Sequence, residues 1–192
     1  MVQTTLIDDL DKIANEVKSC KKCRLHKSRT NAVPGEGNSR TNIVFIGEAP
    51  GENEDEQGRP FVGRAGDLLN DLLEEIGLPR DEVYITNVVK CRPPNNRDPR
   101  RNEIKSCNPY LKRQLEVIKP KVIATLGNHA TKSLIGKNGI TKLHGKEFDW
   151  NEKKLIPLYH PAAGLYNPNL KKKMIKDMKK LTKFLPEGKT LK

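Results

Sequence analysis

The hydrophobic positions of the chain form short continuous runs that alternate with longer stretches of helical spacing. Four runs of mostly apolar residues predict β-strands at 43–46, 83–89, 121–126 and 155–159. Apolar residues three and four positions apart predict helices at 6–17, at 65–76, up to about residue 118, from 127 to 136, and in the Lys-rich segment that closes the chain. A hairpin is predicted over 140–148.

The order of these elements indicates a fold class. Buried strands separated by helices imply parallel pairing, because each parallel connection must cross a face of the sheet. We therefore predict an α/β fold with three layers, α/β/α, around a central four-stranded and mainly parallel sheet. The 192 residues suit a single domain, 1–192, which ends in a Lys-rich helix and tail at 171–192.

No apolar run approaches the roughly 20 residues that cross a bilayer, and the first residues lack the charged and apolar regions of a secretory signal. We expect a monomer in the cytoplasm, without a membrane partner. The Lys- and Glu-rich composition with few cysteines is a feature of many thermophile proteins, which suggests a prokaryotic or archaeal thermophile as the source.

The charge of the chain narrows the class of partner. A formal net charge of +12 favours a polyanion, and nucleic acid is the leading class. Residues 171–192 hold nine lysines and two acids. These lysines contact phosphate, or form the solvated side of an amphipathic helix, or do both; the inward side comprises Met174, Ile175, Met178, Leu181 and Leu185. The segment 179–185 matches a sliding-clamp-binding motif poorly, so a clamp partner has little support.

The four cysteines form one candidate metal site. Cys20 and Cys23 make a Cys-x2-Cys pair, and Cys91 and Cys107 follow with fifteen residues between them. Disulfides are not expected in an intracellular chain. Four thiolates suit a tetrahedral zinc ion or a 4Fe-4S cluster, and the spacing does not choose between these two. Four buried free thiols are the alternative without a metal.

Polar and glycine-rich residues follow the predicted strands. They are Gly47 to Gly51, Asn87, Gly127 to His129, and His160 with Pro161. The carboxyl ends of parallel strands meet at one edge of a sheet, where ligands bind. The segment 47–66 is not a phosphate-binding loop, because it lacks the Gly-Lys-Ser/Thr ending and its acids would repel phosphate.

Four motifs and the cysteines together carry a resemblance to a known family. The motifs are Gly-Glu-Ala-Pro-Gly at 47–51 with its continuation to 66, Thr-Asn-Val-Val-Lys-Cys-Arg-Pro-Pro at 86–94, Leu-Gly-Asn-His-Ala at 126–130, and His-Pro-Ala-Ala at 160–163. In this order they resemble the family 4 uracil-DNA glycosylases, the iron-sulfur type. The resemblance implies that family's fold, a structural 4Fe-4S cluster on the four cysteines, and uracil-containing DNA, single- or double-stranded, as substrate.

The resemblance also implies how uracil is recognised and released. Phe61 would stack on the flipped base, and Asn87 would hydrogen-bond its Watson-Crick edge, since an amide offers a donor beside an acceptor. His160 would hydrogen-bond the uracil carbonyl oxygen as negative charge develops there. The product is free uracil and an abasic site in base-excision repair. The loop 91–99 has no histidine, which favours hydrolysis over the covalent trapping of a related branch.

Four further residues take expected roles from the resemblance. Glu48 and Ala49 would hold the base through backbone contacts and place a water. Glu54 would either position water or exclude the methyl group of thymine, and the expected catalytic set is His160, Glu48 and Glu54. Leu165 is the expected wedge that fills the gap left by the flipped base. His129 follows Asn128, which is predicted to cap a helix, and stays outside this set.

Two other functions remain open at this point. The charge and the cysteines alone would suit a metal-dependent nucleic-acid binding module without catalysis. A metal-dependent nuclease is the second alternative, with magnesium held by Glu52, Glu54, Asp55 and Glu56. Nuclease activity would vanish in a chelator, whereas glycosylase activity would persist.

Overall fold

The computed structural model describes residues 2–185, with side chains from Asp9 onward. Its α-helices are α1 (Val2–Ser19), α2 (Glu52–Gln57), α3 (Arg64–Glu75), α4 (Arg101–Ile118), α5 (Asn128–Ile135), α6 (Ile140–Leu143) and α7 (Pro168–Met178). Its strands are β1 (Glu36–Gly37), β2 (Ile43–Gly47), β3 (Tyr84–Asn87), β4 (Val122–Leu126), β5 (Phe148–Trp150) and β6 (Lys153–Leu158). The predicted tail beyond residue 185 lies outside the described residues.

The strands form one mixed sheet in the order β1-β3-β2-β4-β6-β5. The four inner strands are parallel neighbours, and the short edge strands β1 and β5 are antiparallel to β3 and β6. The predicted α/β class and the four-stranded parallel centre are confirmed, and two edge strands are added to the predicted sheet.

The hairpin predicted over 140–148 is wrong. Helix α6 occupies the start of that segment, and the hairpin is instead formed by β5 and β6. Its two turn residues, Asn151 and Glu152, have φ values of 46° and 62°. Two consecutive left-handed residues are typical of a type I′ turn, for which Asn-Gly is the usual signal. This turn has glutamate in place of glycine at its second position, so the sequence lacks the usual signal.

The two faces of the sheet are covered by different helices because successive strand side chains point to opposite sides. Ile43 and Phe45 pack with apolar residues of α3 and α7. Val44 and Ile46 pack with residues of α1 and α4 on the other face. The predicted three layers are therefore present, and the inner strands are buried on both faces.

The closing helix has the amphipathic character that its sequence predicts. Met174, Met178 and Leu181 are buried, and Ile175 and Leu185 pack partly buried against the same cluster. The exposed side carries Lys172, Lys173, Lys176 and Lys179. None of the helices in the described part of the chain is both long and apolar enough to span a bilayer.

A buried carboxylate fixes α7 to the segment before β5, and its removal is expected to destabilise the fold. Asp177 is 5% exposed and lies 2.6 Å from Nδ1 of His144. Asp177→Ala should lower the free energy of unfolding by about 1–3 kcal/mol, because it removes a buried carboxylate and leaves the partly buried His144 without its hydrogen bond. Chemical denaturation measures the change.

Asp71→Ala is the matched control, because it removes an acidic side chain of α3 that pairs with the same helix, α7. Asp71 is 63% exposed and pairs with Lys171 of α7 at 3.6 Å. An exposed pair of this kind contributes about 0–1 kcal/mol. Equal losses of unfolding free energy in Asp177→Ala and Asp71→Ala would contradict the importance assigned to the pair of Asp177 and His144.

Candidate active site

A cleft of about 530 Å³ opens at the carboxyl edge of the sheet. The loops after β2, β3 and β6 form it, as expected for parallel strands. Its lining includes all six residues that the sequence predicted for catalysis and base binding: Glu48, Ala49, Glu54, Phe61, Asn87 and His160. Leu165 does not line the cleft, and it packs partly buried against the α3 and α7 cluster.

The floor of the cleft depends on a glycine at the end of β2. A Cβ atom at Gly47 would lie 2.3 Å from Oδ1 of Asn87 and 2.7 Å from Cζ of Phe61. Any other residue at position 47 would therefore displace both side chains. Asn87 is 2% exposed, and its Oδ1 has no hydrogen-bond partner among the described residues. A buried amide oxygen without a partner is rare, and a ligand that donates a hydrogen bond would satisfy it.

His160 presents a hydrogen-bond donor to the cleft. Its Nδ1 accepts from the backbone N–H of Ala162 at 3.2 Å, so the proton of the neutral ring is on Nε2. Burial lowers the pKa of His160, and the carboxylate of Glu54 only partly opposes this shift. The rings of His160 and Phe61 have centroids 5.7 Å apart. A neutral imidazole therefore stands beside an aromatic face.

Glu54 binds the backbone of the loops around the cleft. Its Oε2 accepts from the N–H of Gly51 at 3.0 Å. Its Oε1 accepts from the N–H groups of Val62 and Gly63 at 2.9 and 3.1 Å. These three bonds join the start of α2 to the loop that carries Phe61.

Glu48 lies beside a histidine that sequence reasoning left outside the site. Oε1 of Glu48 is buried and has no hydrogen-bond partner among the described residues. Nδ1 of His129 is 3.6 Å from this oxygen and 3.6 Å from Oδ2 of Asp98. Burial raises the pKa of Glu48, His129 lowers it and Asp98 raises it. The position of His129 just after β4, at the same edge of the sheet, was the signal that could have included it.

The four cysteines line a second cavity, on the α1 and α4 side of the sheet, together with Val17, Val89 and Tyr110. Nη1 of Arg29 donates to Sγ of Cys91 at 3.0 Å, and the N–H of Lys90 donates to Sγ of Cys107 at 3.2 Å. No three of these sulfur atoms lie within 4.8 Å of one another in the described structure. Thiolates bound at about 2.3 Å to one zinc ion would lie about 3.8 Å apart.

Residues 34–183 match the model of the Uracil DNA glycosylase superfamily. A type-4 uracil-DNA glycosylase of Sulfurisphaera tokodaii is 59% identical over 91% of this chain and 84% of the relative. Relatives with the same description from Saccharolobus solfataricus (54% identical, 93% and 88% covered) and Archaeoglobus fulgidus (50% identical, 91% and 92% covered) also match. The chain belongs to the type-4 uracil-DNA glycosylases. The predicted family is thereby confirmed.

In this type-4 glycosylase, the acids of α2 do not form the magnesium group that a nuclease would need. The carboxylate of Asp55 is buried and accepts from the N–H groups of Thr30 and Asn31. Glu54 binds the amides described above, and Glu52 pairs with Arg92 at 3.2 Å. In the described chain, the one group of three such residues whose ligand atoms all lie within 4.8 Å of one another is Glu48, Asp98 and His129.

One aromatic residue of the described chain is highly exposed, in the loop that follows His160. Among the described residues, Tyr166 is the only large hydrophobic residue with high exposure, at 75%. Its ring lies 5.1 Å from the guanidinium carbon of Arg64. The predicted wedge Leu165 is thus partly buried, whereas its neighbour in the sequence, Tyr166, is exposed.

The charges around Glu48 lead to a prediction with opposite signs for two variants. His129→Ala should raise the pKa of Glu48 further, because it removes the group that favours the carboxylate form. Asp98→Asn should lower it, because it removes a like charge. Titration of the glutamate carboxyl carbons by NMR measures both shifts, with Glu48→Gln to assign the signal.

Asp149→Asn serves as the control, since Asp149 is 88% exposed and pairs with Lys154. It should leave the titration of Glu48 unchanged. Shifts of the same sign in His129→Ala and Asp98→Asn would refute the arrangement.

Proposed function

We propose that this chain is a monofunctional uracil-DNA glycosylase, which hydrolyses the N-glycosidic bond of uracil in DNA and leaves an abasic site for base-excision repair. The observation that carries the proposal is the buried, unpartnered amide oxygen of Asn87 beside Phe61 and His160 in a type-4 family member. Its type-4 relatives carry the same activity in their descriptions.

The reaction breaks the bond between the sugar carbon and the uracil ring nitrogen. The bonding electrons leave with uracil as an anion, and water adds to the oxocarbenium-like sugar. The proton that the water loses balances the one that the uracil anion takes up to become free uracil. We assign the stabilisation of the leaving anion to His160, whose Nε2–H would donate to the carbonyl oxygen where the charge develops. A neutral donor suits this role, because the lowered pKa of His160 keeps the ring uncharged before reaction.

Base recognition is assigned to Asn87, Phe61 and Ala49. The ring of Phe61 would stack on the flipped uracil, and the free Oδ1 of Asn87 would accept from the uracil N–H group. The amide nitrogen of Asn87 would donate to the adjacent carbonyl oxygen. The backbone at Ala49 lines the same cleft and would contact the edge of the base.

The two glutamates take different roles in the proposal. Glu48 would hold the attacking water with its free Oε1. For Glu54, water positioning or exclusion of the thymine methyl group was expected from the sequence. Its bonds to three backbone N–H groups favour a role in holding the loops that shape the cleft instead.

The contact with DNA is assigned to the loop after His160 and to the exposed lysines of α7. Leu165 and its neighbour Tyr166 would fill the space left by the flipped base, in single- or double-stranded DNA.

Leu181 is buried, and Phe184 and Leu185 pack against the core. These apolar side chains are therefore not free for a sliding clamp, and we propose no clamp contact. A surface with one large exposed hydrophobic residue among those described favours a monomer.

We further propose that the four cysteines hold a structural 4Fe-4S cluster. A cluster binds each thiolate to a different iron, and it therefore needs sulfur atoms further apart than a single zinc ion does. Among the described residues no three of the sulfur atoms lie within 4.8 Å of one another, and this spacing and the donors from Arg29 and Lys90 fit a cluster. The bound cluster would tie together α1, the loop after β3, and α4.

The proposed activity is tested with an end-labelled oligonucleotide that holds one uracil, in excess chelator of divalent cations. We expect free uracil and a strand break at that position that appears only after alkali. A break that appears before alkali, and only in a parallel reaction without chelator, would indicate a nuclease. Bound DNA without release of uracil would indicate a binding module.

Asn87→Ala is the matched variant for this assay. It should abolish uracil release, because the base loses its hydrogen-bonding partner, while the affinity for DNA that contains no uracil stays unchanged. A parallel loss of uracil release and of DNA affinity would point to misfolding and remove the support for Asn87 as the residue that recognises uracil.

The cluster assignment predicts the metal content of the purified protein. Anaerobic purification should give a brown protein with about four irons per chain. Cys107→Ala should lose the colour and the iron and unfold at lower temperature. A colourless zinc protein with full activity would contradict the assignment.

A further inference from the structure

The aromatic ring of Phe61 lines the cleft, and the backbone of this residue has an unusual conformation. Phe61 has a φ of 50°, in the left-handed region that bulky residues rarely adopt. Its buried ring approaches the α-carbon of Gly47. A change of Phe61 to a common backbone conformation would turn the ring away from this position. The left-handed backbone must therefore be held by its surroundings.

Two groups fix the residues that follow Phe61. A Cβ atom at Gly66 would lie 2.0 Å from the carbonyl oxygen of Phe61, so α3 begins in direct contact with this peptide group. The carboxylate of Glu54 binds the next two N–H groups, those of Val62 and Gly63. Neither Gly66 nor Glu54 forms a hydrogen bond with the carbonyl oxygen of Phe61.

That carbonyl group is bound by Arg80, in the short 3-10 helix Arg80–Glu82 before β3. Nη1 of Arg80 donates to the carbonyl oxygen of Phe61 at 3.1 Å, and Nη2 donates to that of Pro60 at 2.5 Å. Asn70 and Glu36 accept the remaining bonds, at 3.0 and 2.9 Å. Arg80 does not line the cleft, so it does not reach a base there.

We propose that Arg80 is a positioning residue for uracil recognition: its planar guanidinium binds two consecutive carbonyl groups, and so holds the left-handed backbone that keeps the Phe61 ring in the cleft. This inference rests on the proposed function for its role in catalysis. A lysine could keep the charge beside Glu36, but a single ammonium group does not reproduce the two-pronged geometry of the guanidinium.

Arg59 provides a matched control on the same carboxylate. It binds Glu36 through Nε and Nη2, at 2.8 and 3.0 Å. Among the hydrogen bonds of the described residues, its side chain reaches only this carboxylate. Arg59→Gln therefore removes one guanidinium from Glu36 and leaves the peptide groups of Pro60 and Phe61 bound by Arg80.

The first test measures single-turnover uracil excision by the full-length variants. Arg80→Gln should lower the rate roughly tenfold to a hundredfold, since displacements of about 1 Å have effects of this size. Arg80→Lys should stay impaired while its unfolding temperature remains near that of the wild type. Arg59→Gln should change the rate less than about twofold.

A double-mutant cycle connects the effect to the ring. In a Phe61→Ala background, Arg80→Gln should change the rate less than about threefold, because the group that it positions is gone. An undiminished loss in that background, full rescue by Arg80→Lys, or equal losses in Arg80→Gln and Arg59→Gln would each overturn the proposal.

A second measurement does not depend on catalysis. The chain has four phenylalanines, so incorporation of 4-fluorophenylalanine gives few ¹⁹F NMR signals, and Phe61→Leu identifies the one of interest. This signal should shift or split in Arg80→Gln and Arg80→Lys and stay unchanged in Arg59→Gln. An unchanged signal in the Arg80 variants would overturn the proposal. A wild-type protein that releases no uracil would refute the proposed function instead, and the NMR result would still decide the role of Arg80.

Discussion

The cleft depends on the close contact of three groups at the carboxyl ends of β2 and β3. Gly47 has no side chain, and the amide of Asn87 and the ring of Phe61 both occupy the space where a Cβ atom would stand. This contact buries Oδ1 of Asn87 without a hydrogen bond. An unsatisfied buried acceptor costs about 1–3 kcal/mol, which a base that donates to it would recover. The same contact thus creates the shape of the site and, on the proposed role of Asn87, would also create its selectivity.

Burial also sets the charge states in the cleft. It lowers the pKa of His160 and raises the pKa of Glu48, so both groups shift toward their neutral forms. The two shifts have one cause, namely the removal of water from around a charge. The local partners then differ: Glu54 opposes the shift of His160, and His129 opposes that of Glu48. A neutral hydrogen-bond donor, His160, and a carboxyl group whose pKa depends on its neighbours, Glu48, consequently line the same cleft.

The segment after β3 joins the cleft to the cysteine cavity. The N–H groups of Val88 and Val89 donate to the carbonyl groups of Gly47 and Glu48, each at 2.9 Å. The next residue, Lys90, is fully buried, and its ammonium group donates to the carbonyl oxygen of Asn87 at 2.8 Å. The backbone N–H of Lys90 donates to Cys107. Loss of the thiolate site would therefore disturb the residue that is proposed to read the base.

The sequence by itself determined the parallel centre of the sheet, the edge at which Glu48, Asn87 and His160 meet, and the grouping of the four cysteines. Runs of apolar residues report burial along one strand, and parallel pairing then brings the strand ends together. The tertiary structure alone decided the edge strands, the β5–β6 turn, the contact of His129 with Glu48, and the bonds of Glu54 and Arg80 to the loop of Phe61. The bonds of Glu54 and Arg80 end on backbone groups, and the edge strands pair through backbone groups as well. Hydrophobic periodicity carries no information about such bonds, because every residue except proline offers the same N–H and C=O groups.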